Sequence, residues 1–121
     1  MKYMLLIYID QQIWERVTED ERQQMLNESV KLAHEINSSG HYLASARLQP
    51  TSTATTVRIR EGKRLMTDGP FAETREQMGG YYLIDAKDLE EAMSIAERIP
   101  GGRVGAVEIR PVMEVQGLPS K

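Results

Sequence analysis

Residues 3–9 read YMLLIYI, with an apolar or aromatic side chain at every position. So short a run, rich in Ile and Tyr and bounded by Lys2 and Asp10, predicts a strand. Successive strand side chains point to opposite faces, so this strand offers apolar groups both ways and needs cover on both. Helices packed on one side of a sheet satisfy only half of that demand. A second copy of the chain is the economical cover for the other half, and a homodimer is expected.

The remaining elements follow from periodicity and punctuation. "TEDERQQMLNESVKLAHEINSSG" predicts a long helix. Thr18 and Glu21 form a capping box, acids fill the first turn, and Gly40 supplies the stop. Met25, Leu26, Val30, Leu32, Ala33 and Ile36 make its apolar face. Strands are expected over 42–48, 54–60, 63–66, 80–85 and 104–112, and residues 10–17 read as a connection carrying Trp14. Glu61-Gly62 is a two-residue hairpin turn. Asp88 and Glu91 open a second helix that Pro100 ends. The order is strand, helix, strand, hairpin, strand, helix, strand. It predicts an α+β fold of the ferredoxin-like type, an antiparallel sheet with two helices on one face and an inserted β-hairpin. One domain over 1–115 is followed by a tail, 116–121.

Charge and composition bound the function. A net charge of −3 gives no global attraction for nucleic acid or anionic membrane. The absence of cysteine excludes thiol chemistry and thiolate metal sites. His34 and His41 are seven apart and lack a third ligand nearby, so no metal is expected. No phosphate-binding loop or nucleophile elbow is present, so no cofactor is expected. No run approaches the roughly 20 apolar residues of a spanning helix, and the opening segment is too short for a secretory signal. The expectation is a cytoplasmic protein.

Two constellations stand out. The first is the turn Asp68-Gly69-Pro70-Phe71. Gly69 accepts unusual backbone angles and Pro70 stiffens the chain. Phe71, the only phenylalanine, is expected to plug the core. Asp68 has two readings: a turn-fixing acceptor, and a carboxylate held at a pocket rim as base or anchor. The second is a polar sheet face. If Val57, Ile59, Val107 and Ile109 face the helices, Arg58, Arg60, Glu108 and Arg110 face away. With Ala44 and Ala46 inward, Ser45 and Arg47 join them. Tyr8 and Trp14 would line the same cavity, giving Arg47, Arg58, Arg110, Tyr8 and Trp14 as binding residues and Asp68 as the catalytic candidate. The bland counterpart is a face of solvated or interfacial ion pairs.

"TDGPFAETREQMGGYYLIDAKDLEEA" resembles the DGPF-motif branch of the YCII-related family, as do "MKYMLLIYID", "TATTVRIREGK" and "VEIRPV". The resemblance implies a dimeric α+β barrel, two sheets facing across a central cavity. For the wider family it implies an active site built on a histidine and an aspartate. That histidine has no matching position here, and the mechanism is not carried over. The leading expectation is a dimer that binds, and in an enzyme reading transforms by cofactor-free acid–base chemistry, a small polar or anionic metabolite. The alternative is a non-catalytic regulatory module, since genes of this branch resemble neighbours of extracytoplasmic-function sigma factors.

Overall fold

A computed structural model describes residues 1–119; residues 120–121 of the expected tail lie outside the described residues. The chain runs β1 (Lys2–Asp10), α1 (Gln11–Arg16), α2 (Glu19–Ser38), β2 (Tyr42–Arg47), β3 (Thr55–Arg60), β4 (Lys63–Asp68), β5 (Glu76–Asp85), α3 (Leu89–Ala96) and β6 (Gly105–Pro111). Four strands form one antiparallel sheet in the order β2-β5-β1-β6, and β3 pairs with β4 as a separate hairpin. This is the ferredoxin-like α+β arrangement, with the hairpin inserted between β2 and β5.

The doubly apolar first strand sits centrally, between β5 and β6. Tyr3, Leu5 and Ile7 point to the helices, where they meet Leu32, Ile36, Ala92, Ile95, Tyr82 and Ile84 in one buried core. Met4, Leu6 and Tyr8 lie on the other face and are only half-buried. Both helix caps form as expected. Thr18 and Glu21 bond reciprocally, and Asp88 accepts from the Glu91 amide at 2.9 Å. Gly40, at φ +83°, ends α2 in the left-handed region.

The expected connection over residues 10–17 is instead largely helical. Asp10 caps α1, its carboxylate accepting from the amides of Gln12 at 3.0 Å and Ile13 at 3.2 Å. An Asp at a strand end can join strand to helix without a loop, because its side chain satisfies the orphan amides of the first turn.

Three geometric expectations are corrected. The hairpin does not extend the sheet, so Val57 and Ile59 do not face the helices; both are exposed. Arg58 and Arg60 therefore sit on a projecting arm rather than on the sheet. Phe71 is no core plug: it is 76% exposed. Ser45 and Arg47 face the helices, while Ala44 and Ala46 share the open face with Leu6 and Leu83. The cause is a bulge at Leu43. Tyr42 pairs Ile84 and Ala44 pairs Leu83, so one extra residue reverses the phase of the rest of β2. The expectation for β6 holds, since Val107 and Ile109 pack on the core and Glu108 and Arg110 face away.

Candidate binding groove between the long helix and the sheet

A concavity of about 920 Å³ lies on the helix side between α2 and the β2–β5 half of the sheet. On α2 it is lined by Arg22, Leu26, Val30, Ala33 and Asn37 among others. That mix of i, i+3 and i, i+4 spacings is one stripe of the helix, so the groove follows the helix axis for about 22 Å at 1.5 Å per residue. Its floor includes Ile7, Ile9 and Tyr82. Leu26, Val30 and Leu48 line it yet remain exposed.

One end is cationic. Trp14 sits half-buried on α1, placed there by the Asp10 cap. The Arg22 guanidinium lies 4.6 Å from the Trp14 ring centroid and that of Arg47 lies 5.9 Å from it. Arg22 donates through Nη2 to the Trp14 carbonyl at 2.7 Å, while its Nε is enclosed without a hydrogen-bond partner. Neither arginine has a carboxylate within salt-bridge distance among the described residues. Glu19 lines the same groove but pairs with neither.

The middle and far end carry hydroxyls. Tyr82 donates to the Ser29 carbonyl at 2.8 Å; burial pushes its phenol above the usual value and the hydroxyl stays neutral. The Tyr42 hydroxyl meets Ser45 Oγ at 2.9 Å, a contact made possible by the bulge that turns both to the same side. His34 and Asn37 close that end. His41 is elsewhere, between Ser39 Oγ and Glu91. No group of three or more His, Asp and Glu side chains with metal-site geometry occurs among the described residues.

Of the residues singled out from sequence, the groove brings together Arg47 and Trp14. Tyr8 and Arg110 lie on the open sheet face. There Tyr8 donates to Glu108 at 3.3 Å, and desolvation together with the facing carboxylate raises its phenol pKa. Asp68 ends β4 opposite Thr55, is exposed, and does not line the groove. The turn it opens is tied instead by backbone. Gly69 donates to the Ala54 carbonyl at 2.7 Å, Thr56 Oγ1 to the Gly69 carbonyl at 2.8 Å, and Arg58 Nη2 to the Phe71 carbonyl at 3.1 Å. Gly69 holds φ +98°, which excludes most side chains.

Arg22 and Tyr42 were not singled out from sequence. Arg22 had a signal, since it stands three residues before Met25 on the apolar stripe of α2. Arg75 acts over a long sequence distance. Its Nε reaches back 2.8 Å to Asp10, and its carbonyl accepts from the Gln11 amide, so the loop after the Asp68 turn is pinned to the start of α1.

The pattern of the YCII-related domain matches residues 1–116. This chain belongs to the YCII-related family. It is similar to an uncharacterized protein, R00369, of Rhizobium meliloti (strain 1021), with 33% identity over 114 residues, which cover 93% of this chain and 92% of the relative. In this YCII-related domain no helix among the described residues is long and apolar enough to cross a membrane.

The Asp10 cap gives the groove a pH signature. Burial pushes the Asp10 carboxyl up, but the Ile13 and Gln12 amides and Arg75 outweigh it and hold it below the usual carboxylate range. A depressed carboxyl contributes stability that is fully present above its unfolded value of about 3.9 and is lost as pH falls through the folded value. Glu21, Glu28, Asp85 and Glu91 are depressed as well. The urea midpoint of the parent is therefore expected to drop as pH is lowered from about 5 to 2. Asp10→Asn, which keeps an acceptor oxygen, is expected to start lower and fall less steeply. Parallel curves for the two proteins would show that Asp10 carries no linked charge.

Proposed function

We propose that this protein binds a small polar or anionic metabolite in the groove between α2 and the sheet. The observation that carries this reading is the pair of guanidinium groups gathered over Trp14 without a carboxylate to neutralise them. Two like charges held against one ring repel each other, and an anion between them relieves the repulsion. Trp14 is the only tryptophan and reports directly on that end. Its fluorescence is expected to respond saturably to at least one anion in a panel of phosphate, citrate, benzoate and decanoate. The response is expected to be lost in Arg22→Gln. No saturable response to any of these anions would overturn the reading.

The proposed form of the protein is a homodimer of the DGPF branch, supported by the Asp68-Gly69-Pro70-Phe71 turn and by the half-exposed apolar face of Met4, Leu6 and Leu83. Asp68 and Arg58 stand on the arm, outside the groove of their own chain. As base and anion clamp they would serve a site only across the dimer. The exposed arm also suits the alternative of a non-catalytic regulatory module. Turnover of a bound anion by the parent and not by Asp68→Asn favours the enzyme; binding without turnover favours the module.

A further inference from the structure

The shape of the groove narrows the class of ligand, on the proposed reading that the groove binds an anion. We infer that the ligand is an amphiphilic monocarboxylate, an extended apolar chain with one acid group. Its carboxylate would lie between Arg22 and Arg47 at Trp14, and its chain along α2 toward Asn37.

The groove is polarised along its length. Charge is concentrated at one end, where Arg22 and Arg47 lie over Trp14. Beyond it the apolar lining on α2 is Met25, Leu26, Val30 and Ala33, facing Ile7 and Ile9 on the sheet; the hydroxyls among them, Ser29 with Tyr82 and Tyr42 with Ser45, are paired with one another. Leu26 and Val30 are 36% and 51% exposed although they line a concavity, so apolar surface there lacks cover. A small hydrophilic anion such as citrate would engage the arginines and leave this strip wet. An alkyl chain covers it, and each methylene buried tightens binding about fourfold. The strip, Met25 to Ala33, runs about 12 Å along the helix, comparable with an extended ten-carbon chain. A carboxylate matches the cationic end better than a larger polyanion, because Glu19 shares the lining and opposes accumulated negative charge. A planar carboxylate also takes two parallel N–H donors from one guanidinium.

The test uses the full-length protein and sub-micellar probes, with Trp14 emission and calorimetry as readouts. Decanoate is expected to bind saturably and at least tenfold more tightly than decanol or decyltrimethylammonium. Arg47→Gln is expected to weaken decanoate by roughly ten- to a hundredfold, the range for hydrogen bonds to a charged group, and to leave decanol unchanged. Val30→Glu, at an exposed position where folding tolerates the change, is expected to abolish decanoate binding and spare any binding of citrate. Equal affinity for decanoate and decanol would overturn the carboxylate assignment. Binding of citrate or phosphate without decanoate would overturn the amphiphile and leave the proposed anion site standing. Failure of every anion would remove both. Capture by vesicles containing phosphatidylglycerol, without binding of free decanoate, would make the groove a membrane contact and overturn the inference.

Discussion

Gly105→Ala is expected to leave little or no folded protein. Gly105 opens β6 and pairs Ile9 across the sheet. A Cβ built there runs into the carbonyl oxygen of Tyr8, well inside van der Waals contact, and also meets the Ile9 Cα at 3.0 Å. Both obstacles are backbone of the central strand, so no rotamer change relieves them. Relief requires β6 to move away from β1. That would break the ladder from Gly105 to Pro111 and uncover Val107 and Ile109 from the core. Overpacking a core costs about 1–3 kcal/mol where side chains can yield, and more where they cannot. A loss of about 3 kcal/mol or more is a large share of the ~5–15 kcal/mol that holds a domain. Gly102→Ala is the control. Its Cβ meets only the Val107 Cγ2, at 3.4 Å, and it is expected to melt within a few degrees of the parent. Comparison of soluble yield and thermal midpoint checks both. A Gly105→Ala protein that melts like the Gly102 variant would show that β6 is not locked to β1 in this register.

What was legible in the sequence was local. The doubly apolar run of β1, the capping box at Thr18, the Asp88 cap and the Glu61-Gly62 turn are each decided by a few adjacent residues. Glu61 and Gly62 both take positive φ, 52° and 75°, as a two-residue hairpin turn requires. What was not legible depended on one inserted residue or on distant contacts. Leu43 carries no mark of a bulge, yet it decides which face receives Arg47. Alternation alone placed Arg47 on the open face; the extra residue sends it to Trp14 and makes the groove cationic. The pairing of β3 with β4 is local and was read correctly, but the place of the hairpin beside the sheet is not encoded by its own alternation. Arg75 joins Asp10 across 65 positions, and nothing near either residue announces the other.

Leu6→Arg is expected to convert the proposed dimer into a stable monomer. Leu6 is central on the open face, between Tyr81 on β5 and Glu108 on β6. In the single chain the new guanidinium lies opposite Glu108 on an exposed surface, so folding survives. In the dimer two such cations would be pressed into the interface. Each carries a desolvation penalty of several kcal/mol, which at 1.4 kcal/mol per tenfold weakens association by at least about a thousandfold. The size of the face makes a further demand. Four strands about 4.8 Å apart, each presenting about seven residues at about 3.3 Å, span only some 450 Å² in projection. Obligate dimers bury over ~2,000 Å² in total. The sheet alone falls short, and the β3–β4 arm, with Ile59 61% and Met66 66% exposed, has the apolar area to make up the difference. An isolated two-stranded hairpin is at best marginally stable in water, so the arm gains order from such a contact as well. Met66→Lys is therefore expected to weaken the dimer measurably while Leu6→Arg abolishes it, both read by sedimentation equilibrium. A parent that sediments as a monomer at every concentration would sink the dimer. A dimer weakened by Leu6→Arg and indifferent to Met66→Lys would confine the interface to the sheet and leave the arm free for a different partner.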